Sequence, residues 1–119
     1  MSTPRSTPVD APTSALGRRE LLDEDAAESL SGLYKALANP HRLRLLHAIE
    51  RAGELSVGQI ADEVGMSMQA VSNQLQRLTD QRILVARREG NRSYYRIIDP
   101  CVPGLVELGI CLVEENQER

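Results

Sequence analysis

Apolar side chains recur at three- and four-residue steps along the first half of the chain, which is the spacing of one face of an α-helix. The first such run begins at Glu20 and continues to Ala38. The residue before a proline is disfavoured in the helical conformation, so Pro40 limits this helix to Ala38 or Asn39. The pattern therefore predicts a first helix from residue 20 to residue 38 or 39.

A second helix is predicted directly after the first, in the segment PHRLRLLHAIER, because proline suits the first turn of a helix. Its apolar residues at three-residue spacing are expected to face inward: Leu43, Leu46 and Ile49. Arg42 and Arg44 are expected to face outward, and Gly53 ends the element.

Two shorter helices follow, joined by the tight connection VGMS. Ser56 is placed to cap the first of them, Gly65 to end it, and Ser67 to cap the second. The apolar stripe of the second helix consists of Met68, Val71, Leu75 and Leu78. Two helices with so short a connection form a helix-turn-helix, in which the second helix is placed to enter a major groove of DNA.

The face opposite this stripe carries side chains that can pair with base edges or phosphates. Together with the capping serine, these candidate DNA-contacting residues are Ser67, Gln69, Ser72, Asn73, Gln74 and Arg77. A polar face is also typical of any surface helix, so this helix alone does not distinguish DNA binding from ordinary solvation.

The segment ILVARREGNRSYYRII predicts two strands, residues 83–88 and 93–98, around a Glu-Gly-Asn turn that tolerates positive φ. A basic hairpin directly after a helix-turn-helix is a wing. Arg87, Arg88 and Arg92 near its tip can reach backbone phosphates beside the groove that holds the helix. With a last helix after the hairpin, the predicted fold is mostly α with a small β-hairpin, a winged helix-turn-helix in the order α-α-α-α-β-β-α.

The charge distribution supports a nucleic-acid partner although the net charge is −3. Residues 41–98 carry nine Lys and Arg against six Asp and Glu, whereas residues 1–40 and 99–119 are both acidic. Only the surface that faces the phosphates exchanges counterions with them, so the local charge matters more than the total. The basic segment coincides with the predicted helix-turn-helix and wing.

Composition and length bound the remaining possibilities. A chain of 119 residues forms one small domain with a marginal core, which a second subunit would help to complete. No apolar run approaches the ~20 residues of a membrane span, and no secretion signal begins the chain, so a cytoplasmic protein is expected. A phosphate-binding glycine loop and a recognisable nucleophile motif are both missing, which predicts that the protein is not an enzyme.

The first 19 residues, MSTPRSTPVDAPTSALGRR, are rich in Ser, Thr, Pro and Ala and hold almost no large apolar residue. This composition predicts a disordered N-terminal arm over residues 1–19. Residues 20–119 are then expected to form a single DNA-binding domain.

From about residue 30 to residue 115 the chain resembles the ArsR/SmtB family of winged-helix transcriptional repressors. The strongest likeness lies in LYKALANPHRLRLLHAI, ELSVGQIADEVGMSMQAVSNQLQRL and GNRSYYRI. The resemblance implies a homodimer, packed through its first and last helices, that binds double-stranded operator DNA until an inducer lowers its affinity. It implies neither a membrane nor a further protein partner.

Two positions depart from the family pattern. Where metal-sensing members often have cysteines in the helix before the recognition helix, this chain has Ser56 and Gly58, so that metal site is absent. In the recognition helix Gln74 stands where histidine is common, which bears on the DNA sequence that is read.

Both cysteines of the chain lie in the C-terminal stretch DPCVPGLVELGICLVEE. Some family members sense zinc or related ions at the last helix through Asp-x-His and His-x-x-Glu. The pattern here is similar, with thiolates in place of both imidazoles, and it implies metal ligands at Asp99, Cys101, Cys111 and Glu114. Thiolates favour thiophilic divalent ions, so the expected inducer is Cd, Zn, Hg or Pb.

Helix geometry restricts how these four residues can share an ion. At 1.5 Å per residue the two sulfurs lie ~15 Å apart along one helix, too far for one ion within one subunit. Two antiparallel last helices would pair Asp99 and Cys101 of one chain with Cys111 and Glu114 of the other. The predicted site therefore requires the dimer.

Alternatives remain open for the cysteines and for the domain. Cysteine is among the most often buried residues, so both thiols could serve packing alone. An intersubunit disulfide between Cys101 and Cys111 would make a redox-responsive repressor, although neighbouring carboxylates raise a thiol pKa. A winged helix that acts only as an interaction module is a further class, which the wing arginines disfavour.

Overall fold

The computed structural model describes residues 14–118. The helices and strands are α1 (Ala15–Arg18), α2 (Glu24–Leu37), α3 (Pro40–Ala52), β1 (Leu55–Ser56), α4 (Val57–Val64), α5 (Met68–Asp80), β2 (Leu84–Glu89), β3 (Arg92–Ile97) and α6 (Cys101–Glu118). The chain divides into two compact units, residues 1–31 and residues 32–119.

The first unit contains α1 and the beginning of α2. Ser14 caps α1 by accepting a hydrogen bond from the Gly17 backbone N–H at 3.0 Å, so a helical turn lies in the segment predicted to be a disordered arm. The rest of that arm, residues 1–13, lies outside the described residues. The Asp23 carboxylate accepts from the Ala26 N–H at 2.8 Å, and this cap explains why the predicted first helix begins at Glu24 rather than at Glu20.

The second unit is built around an aliphatic core. Its fully buried large side chains are Leu45, Leu46, Ile49, Ile60, Val71, Leu75, Leu78, Ile83 and Leu84. Two residues predicted to face inward do not: Leu43 is 37% exposed and Met68 is 59% exposed. The buried face of α3 centres on Leu45, Leu46 and Ile49, so Leu43 falls at its margin, and Met68 lies in the first turn of α5 beyond the core.

Three short antiparallel strands form one sheet in the order β1-β3-β2. In the hairpin Leu84 pairs with Ile97 and Glu89 with Arg92, and Gly90 adopts a φ of 63° in the turn. The strands are therefore offset by one residue from the predicted 83–88 and 93–98. Strand β1 was not predicted, because two residues are too few to show a period in the sequence.

The predicted winged helix-turn-helix fold is confirmed, with β1 and the single turn of α1 added to it. Within residues 14–118 no helix is long and apolar enough to cross a membrane.

Candidate DNA-binding face and last-helix thiols

The helix-turn-helix is held in shape by caps at both sides of its turn. At the start of α4, the Ser56 N–H donates to the Gln59 side chain at 2.9 Å while the Gln59 N–H donates to the Ser56 hydroxyl at 3.3 Å. Gly65 ends α4 with a φ of 69°, a left-handed conformation that glycine adopts without strain. The Ser67 hydroxyl then caps α5 by accepting from the Ala70 N–H at 3.1 Å. These caps fix the angle at which α5 leaves the turn.

Helix α5 is anchored on one face and open on the other. Val71, Leu75 and Leu78 are fully buried. Five of the six candidate DNA-contacting residues of this helix and its cap are exposed: Ser67, Gln69, Ser72, Asn73 and Arg77. The Gln69 amide donates to the Asn73 amide oxygen at 3.2 Å, so the two side chains are aligned along the outer face. Contact of these residues with DNA stays a prediction.

Gln74 differs from the other candidates because it is half-buried and already bonded. Its amide oxygen accepts a hydrogen bond from Arg42 Nε at 2.8 Å. The same guanidinium donates through Nη1 to the backbone carbonyls of Ala36 at 2.8 Å and Lys35 at 3.3 Å. Gln74 therefore faces α3 and the end of α2.

Arg42 and Arg44 of α3 were both expected to face outward. Arg44 is exposed as expected, whereas Arg42 is half-buried, and both bond the ends of other helices. Arg42 is half-buried and meets the last turn of α2, while Arg44 Nη1 donates to the Val64 carbonyl at the end of α4 at 3.0 Å. The last carbonyls of a helix lack partners within it, so such arginines act as caps supplied by another element. The sequence pattern missed this role because a capping arginine lies on the polar flank just as a solvated one does.

The wing presents its three candidate arginines differently. Arg88 and Arg92 are exposed near the hairpin turn. Arg87 is held by two carboxylates: its Nη2 and Nε lie 2.8 and 3.1 Å from Glu54, and its Nη1 lies 3.0 Å from Glu89.

Arg87 is also stacked, with its guanidinium carbon 4.8 Å from the centre of the Tyr94 ring. The hydrogen bonds from Arg87 lower the pKa of Glu54, and those to Glu54 and Glu89 raise the pKa of Arg87. In this structure Arg87 is therefore tied to the side of the wing, whereas Arg88 and Arg92 remain candidates for phosphate contact.

The first thiol lies at the start of α6. The Asp99 carboxylate accepts a hydrogen bond from the Cys101 N–H at 2.7 Å, which caps the helix. This bond lowers the pKa of Asp99, and the carboxylate in turn raises the pKa of the Cys101 thiol, mainly by hydrogen bonding to it. Cys101 is exposed and has no disulfide partner. Its thiol is thus accessible, and its raised pKa favours the protonated form.

The second thiol lies three turns further along α6. Cys111 is exposed, and its Sγ lies 3.7 Å from a carboxylate oxygen of Glu115 rather than of Glu114. Glu114 lines an apolar groove between α6 and the helices α2 and α3. Within residues 14–118 no group of three or more His, Cys, Asp and Glu side chains could hold a metal ion. One chain by itself does not bring the four predicted ligands together.

An apolar groove of about 720 Å³ runs between α6 and the helices α2 and α3. We call it the α6 groove, and its lining residues are Tyr34, Leu37, Ala38, Leu43, Arg44, His47, Leu105, Val106, Gly109, Ile110, Val113 and Glu114. Over the same stretch of α6, Leu108 and Leu112 do not line the groove and are 66% and 63% exposed. Among the described side chains of α6, only Val102 belongs to the buried core, and Leu105 packs against that core from a partly buried position. Much of the apolar surface of this helix is therefore uncovered in the single chain.

Comparison with known proteins agrees with this architecture. A protein-family model described as a helix-turn-helix domain matches residues 37–87 of this chain. The SmtB homologue of Synechocystis sp., a transcriptional repressor, is 40% identical over 72% of this chain and 64% of its own length. The probable mercury resistance operon repressor of Streptomyces lividans is 37% identical over 75% of this chain and 70% of its own length.

Solved structures give the same result. The antimony-specific transcriptional repressor AntR has 54% sequence identity and a TM-score of 0.76, over 85% of this chain and 91% of that chain. A homodimeric winged helix-turn-helix DNA-binding domain from Mycobacterium bovis, a possible ArsR-family transcriptional regulator, has 37% identity and a TM-score of 0.71. That alignment covers 82% of this chain and 92% of the other.

The fold, with the exposed polar face of α5 and the exposed wing arginines Arg88 and Arg92, defines a winged helix-turn-helix protein of the transcription-regulator class. The identities and coverages narrow this class, and the chain belongs to the ArsR/SmtB family of transcriptional repressors. The resemblance inferred from the sequence is confirmed. The relatives are repressors rather than enzymes, which agrees with the expectation for this chain.

Proposed function

We propose that the protein is a homodimeric repressor that holds operator DNA until a thiophilic metal or metalloid ion binds between the last helices of its two subunits. Residues 20–119 would form the DNA-binding and dimerisation domain. The observation that carries the proposal is the pair of exposed α6 thiols, Cys101 and Cys111, each within reach of a carboxylate.

The DNA-binding part rests on the outer face of α5 and on the wing. A buried apolar stripe holds α5 while its capped N-terminus and its polar side chains point outward, which is the arrangement by which a recognition helix enters a major groove. Arg77 on α5 and Arg88 and Arg92 on the wing supply positive charge on both sides of that groove. Base edges would be read by Gln69, Ser72 and Asn73.

The dimer rests on the α6 groove and the exposed apolar residues of α6. A chain this small gains stability by covering such a surface, and a second copy offers the same apolar helix in return. The homodimeric relative from Mycobacterium bovis supports this arrangement. Pairing through the first and last helices would bring Cys101 of one chain towards Cys111 of the other.

The nature of the ion follows from the donors. Two thiolates with nearby carboxylates form a soft donor set, which favours thiophilic ions such as Cd, Zn, Hg or Pb. The antimony-specific relative, at 54% identity, adds trivalent antimony to these candidates. Asp99 and Glu114 are the proposed oxygen ligands, and the contact between Cys111 and Glu115 makes Glu115 a second carboxylate near the same thiol.

The redox alternative has less support from the thiols themselves. The Glu115 carboxylate contacts the sulfur of Cys111, and the raised pKa of Cys101 beside Asp99 leaves less of the reactive thiolate at neutral pH. The same carboxylates attract a cation. These contacts therefore favour metal binding over oxidation.

Release of DNA on ion binding follows from the thermodynamic linkage between the ion site and the DNA site. An ion that prefers the DNA-free conformation of the dimer must weaken DNA binding by the same factor by which DNA weakens ion binding. Couplings of this kind usually amount to about 5- to 150-fold in affinity.

The test is fluorescence anisotropy on DNA from upstream of the gene, under anaerobic thiol-reducing conditions, with and without Sb(III), Cd²⁺ or Zn²⁺. Release by one of these ions without oxidant supports the proposal, and Cys101→Ser and Cys111→Ser should each abolish release. Glu107→Gln, which changes an exposed carboxylate of α6 outside the proposed set, should respond like the parent. Release that needs an oxidant would instead establish the disulfide mechanism.

A further inference from the structure

The end of α2 and the recognition helix are joined by one side chain. Helix α2 ends at Leu37, and its last-turn carbonyls lack partners within the helix. Arg42 Nη1 donates to the Ala36 carbonyl at 2.8 Å and to the Lys35 carbonyl at 3.3 Å. Leu37, the next residue, lines the α6 groove. One end of this connection is therefore fixed beside the surface at which the second subunit is proposed to bind.

The other end of the connection lies on α5. Arg42 Nε donates to the Gln74 amide oxygen at 2.8 Å, across 32 residues of sequence. Gln74 is half-buried and precedes Leu75, which is fully buried in the core. A guanidinium is planar and rigid, so its donors cannot move independently of one another. We call this arrangement, from Ala36 through Arg42 to Gln74, the Arg42 bridge.

We infer that the Arg42 bridge transmits the state of the α6 groove to the recognition helix, and that Gln74 positions α5 instead of reading a base. The inference rests on the proposed function, because it names the route by which dimer and inducer act on DNA binding. A shift of the last turn of α2 must either break the bridge or carry Gln74 with it.

The chemistry of Gln74 supports the positioning role. A glutamine that reads adenine uses both its amide oxygen and its amide N–H₂ against one base. In this structure the oxygen of Gln74 is taken by Arg42. By contrast, Gln76 on the same helix is exposed and donates a hydrogen bond to the Asp80 carboxylate one turn further on, at 2.9 Å.

Two variants break the bridge from opposite ends, and each has a matched control. Gln74→Met removes the acceptor, and Gln76→Met is its control on the same helix. Arg42→Lys keeps the positive charge but loses the fork of donors, and Arg51→Lys is its control on the same helix. Arg51 is exposed and lies 3.6 Å from the carboxylate of Glu63.

The primary readout is the ratio of operator Kd with and without the inducing ion, with ion affinity measured separately by chelator competition. Both bridge variants should lower this ratio by about 2- to 30-fold while ion affinity stays at the parental value. Base preference across operator variants should be unchanged, and the double variant should be no worse than either single one. Parental ratios in both bridge variants, or a loss of discrimination at one base pair in Gln74→Met alone, would overturn the inference.

A readout without inducer separates this inference from the proposed function. If the parent protein stays bound to its operator in the presence of every ion tested, the proposal that a metal ion is the inducer fails. The bridge is then tested by hydrogen exchange of the α5 amides. Arg42→Lys and Gln74→Met should then both accelerate exchange in α5, and their controls should not. Unchanged exchange in both variants would show that the bridge does not hold the recognition helix.

Discussion

At the scale of single residues, carboxylates within the protein bind the same thiol and guanidinium groups that are candidates for contact with an ion or with DNA. Asp99 raises the pKa of the Cys101 thiol, and Glu54 accepts two hydrogen bonds from the guanidinium of Arg87. Both contacts are exposed, so they tune reactivity and affinity more than they stabilise the fold.

Replacement of Asp99 by Asn should make Cys101 more reactive. The carboxylate raises the pKa of this thiol, so its removal lets the pKa fall and increases the thiolate fraction at pH 8. We expect alkylation of Cys101 by iodoacetamide to become severalfold faster, measured by mass spectrometry, while Cys111 in the same protein serves as the internal control. An unchanged rate would mean that Asp99 does not control the thiol.

Replacement of Glu54 by Gln should strengthen DNA binding. Loss of the carboxylate releases Arg87 towards the phosphates, and each added phosphate contact steepens the slope of log K against log salt by about 0.9. Glu63→Gln, whose partner Arg51 lies on α3, is the control. Anisotropy titrations at several salt concentrations measure the slope, and equal slopes in both variants and the parent would contradict this account.

Residue roles were only partly predictable from the sequence. Residue types and the spacing of apolar residues identified the outer face of α5, because a stripe of buried aliphatic residues leaves the opposite face in solvent. They could not show that Gln74 bonds Arg42 or that Arg87 bonds Glu54, since these partners lie 32 and 33 residues apart and meet only in the folded chain.

At the scale of elements, caps and turns determine the geometry of the helix-turn-helix. The predicted boundaries at Ser56, Gly65 and Ser67 agree with the structure because each rests on a local rule of capping or positive φ. Strand β1 and the one-residue offset of the wing could not be predicted in this way. They depend on pairing with β3, which is a contact between distant segments.

Two glycines of this region should respond oppositely to alanine. Gly65 has a φ of 69°, so Gly65→Ala should cost about 1–2 kcal/mol although nothing lies within 4 Å of the added Cβ. Gly58 lies inside α4 with the same free space, so Gly58→Ala should be neutral or stabilise the helix by up to about 1 kcal/mol. Thermal unfolding at equal protein concentration measures both, and equal effects would contradict the turn assignment.

At the scale of the whole molecule, α6 is the helix whose apolar surface the single chain leaves largely uncovered. Its apolar residues are largely exposed, its two thiols are ten residues apart, and its groove is open. The sequence predicted that the metal site needs two chains because helix rise alone separates the sulfurs. Pairing with a second copy is the proposed way in which this surface is covered, and the homodimeric relative from Mycobacterium bovis supports it.

A charge in the α6 groove should weaken the dimer. Ile110 lines the groove, so Ile110→Glu would place a carboxylate in the apolar interface and should shift sedimentation towards monomer and lower operator affinity at least tenfold. Ile98→Glu is the matched control, because Ile98 is also an exposed isoleucine but lies outside α6 and does not line the groove. A fully dimeric Ile110→Glu protein would exclude this surface as the interface.

The most direct test of the central claim is a mixed dimer of Cys101→Ser and Cys111→Ser chains, co-expressed at equal amounts. Neither homodimer can form a complete intersubunit site, whereas each mixed dimer keeps one Cys101 opposite one Cys111. Half of the dimers are then mixed, so about a quarter of the parental metal-thiolate absorbance should return on addition of Cd²⁺ or Sb(III). Absorbance no higher than that of either homodimer would contradict an inducer site shared between the two last helices.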